Sequence, residues 1–96
     1  MLHIIAKSPV ESHMLDRIDA GDTVLFIRSA VIVLLSEHVL RERLKKMMMQ
    51  SQMCVLSPDL LARGILPEEL LDGIEIIDYT DFVELTIEHA VIHSWD

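Results

Sequence analysis

Short runs of apolar residues alternate along the chain with stretches of helical spacing. Four runs rich in Val, Ile and Leu predict strands over residues 2–6, 23–27, 53–56 and 74–77. They are apolar at nearly every position, which is typical of strands covered on both faces. Such strands separated by helices predict an α/β class: a single-domain sandwich with a mainly parallel, four- to five-stranded sheet flanked by helices.

Capping signals mark where the first helix should begin and end. Ser8, Pro9 and Glu11 combine an N-cap serine, a proline at the first helical position and a glutamate that can close a capping box. They predict a helix from Ser8 toward Ile18. Gly21 is suited to the left-handed conformation that ends a helix, so it should turn the chain into the second strand.

Similar signals predict two helices in the second half of the chain. Ser57 and Pro58 repeat the start signal, and Gly64 ends a helix of about two turns. Asp78 or Thr80 can cap a last helix that runs to about residue 90.

The segment 30–50 is apolar on every side at its start and has helical spacing further on. It predicts one long helix, although its β-branched first turns could also suit a strand. A helix that is apolar all round should be covered by core on one side and by a partner on the other. A large aromatic residue near a chain end also tends to anchor an interface. The predicted partner contacts are Val31, Leu34, Leu35 and Trp95.

Composition favours one domain, spanning residues 1–96, that associates with other chains. The chain has 96 residues, of which 51% are hydrophobic, and a domain this small buries only about two-thirds of the surface of its unfolded chain. Some apolar surface should therefore meet another chain. The 16 acidic residues exceed the 8 Lys and Arg residues, for a net charge of -8. This charge disfavours direct contact with nucleic acid.

The sequence predicts a soluble, cytoplasmic protein without membrane contact. The longest uncharged apolar run, residues 29–36, is far shorter than the roughly 20 residues of a membrane helix. The first residues lack a basic leader. A single cysteine, Cys54, excludes an internal disulfide and suits a reducing compartment.

Cys54 is the most reactive group in the sequence. Its apolar neighbours place it in a predicted central strand, where cysteine is usually a buried hydrophobe with a raised pKa. The alternative is a sulfur-carrying thiol close to the start of the helix at Ser57, where the helix dipole would favour the thiolate. Cys54 is therefore the one candidate catalytic residue, and the buried interpretation is the favoured one.

Other polar groups do not form a recognisable site. His89 and His93 have the spacing of two metal ligands on one helix face, but no further ligand stands nearby. Asp81, Glu84 and Glu88 recur as one solvated helix stripe. No glycine-rich phosphate loop or nucleophile elbow occurs. We expect no metal and no cofactor.

Several short motifs, taken together, resemble the DsrH/TusB family over nearly the whole chain. They are Met-Leu-His-Ile at 1–4, Lys-Ser-Pro at 7–9, Gly-Asp at 21–22, Asp-Leu-Leu-Ala-Arg-Gly at 59–64, Ile-Asp-Tyr-Thr-Asp-Phe-Val at 77–83, and Trp95. The resemblance implies a DsrE-like α/β sandwich. It also implies assembly with TusC/DsrF-like and TusD/DsrE-like subunits into a heterohexamer with two copies of each.

The task that the resemblance implies is sulfur relay. Persulfide sulfur would pass through a cysteine of the TusD-type subunit toward 2-thiolation of the tRNA wobble uridine, or serve sulfur oxidation in the Dsr branch. Two departures stand out: Ser29-Ala30 replaces the family's Asp-Gly, and residues 11–20 lack the cysteine that some DsrH proteins carry. The chain is thus expected to be a noncatalytic subunit of a sulfurtransferase complex. The alternatives are a self-associating structural or regulatory module, or a sulfur acceptor that uses Cys54.

Overall fold

The computed structural model describes residues 1–95 and contains one five-stranded, all-parallel sheet. The strands stand in the order β4-β3-β2-β1-β5. Their bounds are Leu2–Ile5 (β1), Thr23–Phe26 (β2), Gln52–Leu56 (β3), Glu75–Ile77 (β4) and Ile92–Trp95 (β5). The predicted α/β class is confirmed.

The helices divide between the two faces of the sheet. They are α1 (Ser12–Leu15), α2 (Arg41–Met48), α3 (Ser57–Ala62) and α4 (Tyr79–Glu88), with 3₁₀ helices at Arg28–Leu34 and Pro67–Glu69. Strands β1 to β4 are added in one direction, so right-handed crossovers put their connections on one face. The return from β4 to β5 carries α4 across the other face. Within residues 1–95, every helix is too short or too polar to span a lipid bilayer.

Each face has its own hydrophobic core. On the face of α1, α2 and α3, the central side chains include Phe26, Leu34, Leu44 and Leu60. On the α4 face, the buried residues are Leu2, Leu25, Cys54, Leu56 and Ile77, against which Phe82 and Leu85 of α4 pack. The core beneath α4 is therefore the smaller one.

The strand β5 is absent from the sequence-based prediction. It pairs in parallel register with β1, from Leu2 opposite Ile92 to Ile5 opposite Trp95. Helix α4 ends at Glu88, before the predicted end near residue 90, so the spacing of His89 and His93 does not place them on one helix face. An edge strand keeps polar residues exposed, and this short segment lacks the continuous apolar run by which the central strands were found.

The first predicted helix is much shorter than expected. Helix α1 begins at Ser12, with Glu11 as its N-cap, rather than at Ser8. The backbone N–H of Ser8 instead donates to Ser29 Oγ at 3.1 Å. This contact holds residue 8 against the segment that follows β2, so the local capping signal is overridden by tertiary structure.

The long helix predicted over 30–50 is interrupted. A 3₁₀ helix ends at Leu34, and α2 begins only at Arg41. The backbone N–H of Leu71 donates to the Leu34 carbonyl at 2.9 Å, and that of Ser36 donates to the Glu69 carbonyl at 2.9 Å. These hydrogen bonds to a distant segment hold the chain extended where a helix would have to continue.

Candidate functional site

The Cys54 thiol lies in the core beneath α4. The residue is 0% exposed, and in the sheet register it stands between Leu25 of β2 and Glu75 of β4. Its Sγ is 4.0 Å from Glu75 Oε2. Burial, followed by the negative charges of Glu75 and Asp81, raises the pKa of the thiol to about 12. Cys54 is therefore a protonated thiol at neutral pH and a poor nucleophile.

The surroundings of Cys54 oppose a sulfur-carrying role. Cys54 also lines a cavity of about 200 Å³, together with the carboxylates Glu75, Asp81, Glu84 and Glu88 and with Gln52, Ile77 and Leu85. These carboxylates would repel a persulfide anion as they repel a thiolate. Helix α3 packs on the opposite face of the sheet from Cys54, so the start of that helix does not favour the thiolate.

No metal centre forms in the part of the chain that the structure describes. Within residues 1–95, no three His, Cys, Asp or Glu side chains are grouped so that they could hold an ion. His93 lies on β5 and packs against Trp95, with ring centroids 4.3 Å apart.

Trp95 is fixed to the start of the chain. Its indole Nε1–H donates to Nδ1 of the buried His3 at 3.5 Å, and the guanidinium of Arg17 lies 5.9 Å from the ring centroid. The ring is only partly buried. Trp95 thus combines a fixed orientation with accessible apolar surface, which suits its predicted role as a partner contact.

The His3 ring connects Trp95 to Asp22. His3 Nε2 is 2.9 Å from Asp22 Oδ2, while the N-terminal ammonium of Met1 is 3.2 Å from Asp22 Oδ1. The neutral ring with its proton on Nε2 satisfies both contacts, since Nδ1 can then accept from Trp95. The sequence did not indicate this group, because Asp22 lies 19 residues and Trp95 92 residues from His3.

The Asp22 carboxylate is stabilised in its ionised form. Burial opposes ionisation, but hydrogen bonds from His3 and from the Asp19 backbone N–H, with the nearby N-terminal ammonium, hold the pKa of Asp22 below its ordinary value. A carboxylate whose pKa is lowered by folding stabilises the folded state. This contribution is fully present at neutral pH and is lost as the pH falls through the folded-state pKa.

We therefore expect Asp22→Asn to lower the free energy of unfolding by about 2 kcal/mol at pH 7, because it weakens hydrogen bonds to a charged group. The difference from the unmodified protein should hold above the ordinary Asp pKa of 3.8 and shrink as the pH falls below it. Urea titrations of both proteins across this range measure it, with the exposed Asp72→Asn as the matched control. A deficit that persists unchanged into acid would contradict the role assigned to Asp22.

The structure changes the set of predicted partner contacts. Val31 and Leu34 are fully buried within this chain and present no surface to a partner. That part of the prediction is wrong, because the interrupted helix turns both residues into the core. Leu35 and Trp95 are only partly buried, and for them the role of partner contact stays a prediction.

Sequence comparisons identify relatives of the same length. The family described as "DsrH like protein" matches residues 7–92. Protein TusB of Buchnera aphidicola subsp. Baizongia pistaciae is 34% identical, and the match covers 99% of this chain and 100% of that protein. Protein TusB of Pectobacterium parmentieri is 33% identical with the same coverage.

Solved structures with a similar fold have much lower sequence identity. The protein of unknown function MTH1491 from Methanobacterium thermoautotrophicum superposes with a TM-score of 0.74 at 19% identity, over 98% of this chain and 96% of that one. The ychN protein from E. coli gives a TM-score of 0.71 at 15% identity, over 98% and 97%. These likenesses concern the fold alone.

Proposed function

Because this chain belongs to the DsrH/TusB family, we propose that it is a noncatalytic subunit of a cytoplasmic sulfur relay complex, acting as a single domain over residues 1–96. Its partners in this proposal are one TusC/DsrF-like and one TusD/DsrE-like chain, with two copies of each subunit in a heterohexamer. The complex would pass persulfide sulfur toward 2-thiolation of the tRNA wobble uridine.

One observation carries the noncatalytic part of the proposal. Cys54 is the single cysteine of the chain, and it is buried with its pKa raised to about 12. A persulfide carrier needs a thiolate that a donor can reach. The sulfur acceptor must then belong to another chain, and this subunit would contribute to assembly and to holding that chain in place.

Gentle recovery of the tagged chain from its own cells tests the proposal. We expect two further small α/β chains in equal amount, one of them with an alkylatable cysteine. Mass spectrometry identifies the chains, and native mass measurement gives their copy number. Recovery of this chain alone, as a homo-oligomer, would contradict the relay proposal and favour a self-associating structural or regulatory module.

A further inference from the structure

Helix α4 carries apolar residues on two of its sides. Phe82 and Leu85 pack against the sheet. Tyr79, Val83 and Ile87 are 59%, 56% and 77% exposed, and their spacing of four residues places them in one line along the helix. We call these three residues the α4 stripe. A solvated helix would normally carry polar residues there.

The sheet face beneath α4 is left exposed at its β5 edge. Five strands span about 20 Å, whereas a helix with its side chains is about 10 Å wide. Within residues 1–95, α4 is the one helix on this face, since the others pack on the opposite core. Ile92 of β5 pairs with Leu2, which belongs to the α4 face, and it is 42% exposed. The α4 stripe is thus accompanied by further uncovered apolar surface.

The chain segment that carries the α4 stripe has charged residues of one sign. Residues 75–95 contain no lysine or arginine, and their acidic residues are Glu75, Asp78, Asp81, Glu84 and Glu88. A second copy docked through a two-fold axis would bring these carboxylates against their own equivalents. Like charges facing each other disfavour such a contact. A different chain with basic side chains beside an apolar surface could contact the α4 stripe and also form ion pairs with these carboxylates.

We infer that the α4 stripe docks a different protein chain, whose contact surface is apolar and rimmed by lysine or arginine. This inference rests on the proposed function, because the docked chain is one of the two other subunits of the complex. The apolar contact supplies most of the affinity, while the carboxylates of Glu84 and Glu88 select the partner and orient it.

The test compares two valine substitutions in the tagged chain, recovered from its own cells. Val83→Glu places a charge in the α4 stripe, and Val39→Glu places the same charge at an exposed valine between the 3₁₀ helix and α2. We expect Val83→Glu to lower recovery of a partner subunit at least tenfold and Val39→Glu to change it less than twofold. Circular dichroism of each isolated variant checks that it folds.

Charge reversal and hydrogen exchange complete the test. Glu84→Lys with Glu88→Lys should lower recovery at least fivefold, whereas Glu37→Lys with Glu68→Lys should leave it within twofold. In the unmodified complex, the amides of residues 79–88 should exchange more slowly than in the isolated chain. Equal recovery of the same subunits by Val83→Glu and the unmodified chain would overturn this inference alone.

Two other results would also contradict the inference about the α4 stripe. If the unmodified chain recovers no other subunit, the proposed function fails and this inference fails with it. If the isolated chain forms a dimer that Val83→Glu dissociates, the occupant of the α4 stripe is a second copy, and the inference of a different, basic chain is wrong.

Discussion

Cys54 in the folded protein is expected to react with a maleimide at least a thousand times more slowly than the same thiol in the unfolded chain. Folding raises the pKa of this thiol from 9.0 to about 12, which by itself lowers the thiolate fraction at neutral pH about a thousandfold. Burial slows the reaction further, because the reagent must wait until the core beneath α4 opens.

The labelling rate is measured by intact mass at pH 7.5, with and without denaturing urea. The unfolded chain serves as the control for the intrinsic reactivity of the thiol. Labelling of the folded chain at more than a tenth of the unfolded rate would mean that Cys54 is accessible and ionised. That result would restore the alternative in which Cys54 accepts sulfur.

Leu34→Ala should lower the free energy of unfolding by about 3 kcal/mol, since it removes a large side chain from a packed core. Leu34 is fully buried among the residues on the α1–α3 face. For a domain of this size, the expected fall in melting temperature is roughly 15 °C. Calorimetry of the isolated chain measures it.

The matched control is Leu61→Ala, because Leu61 is 77% exposed and its truncation should change stability by no more than about 0.5 kcal/mol. Truncating a core residue lowers the stability of the isolated chain, whereas truncating a partner contact weakens assembly with other subunits. If Leu34→Ala leaves the melting temperature of the isolated chain unchanged and weakens partner recovery, its assignment to the core is wrong.

The central strands could be predicted because burial on both faces leaves a local signal. Each of these strands is a short, nearly continuous apolar run, and this pattern needs no knowledge of its neighbours. β5 has no such signal, since His93 and Ser94 are polar and exposed. Its pairing with β1 joins residues about 90 positions apart. A long-range pairing of this kind is invisible to periodicity.

The same distinction holds for the helices and the candidate site. Of the two caps predicted for the last helix, Asp78 is the one that forms, with the Asp81 backbone N–H donating to Asp78 Oδ1 at 2.8 Å, because all its atoms are local. The interruption after Leu34 depends on residues 69–71, which no local pattern indicates. Burial of Cys54 followed from its apolar neighbours, but the contact of Trp95 with His3 required the folded sheet.

The central claim is that this relay subunit carries no sulfur itself. The most direct test is to incubate the recovered complex with a cysteine desulfurase and cysteine and then to measure the intact mass of each chain. One added sulfur is expected on a partner chain and none on this chain, and Cys54→Ala should leave the partner's loading unchanged. An added sulfur on this chain that Cys54→Ala abolishes would contradict the account.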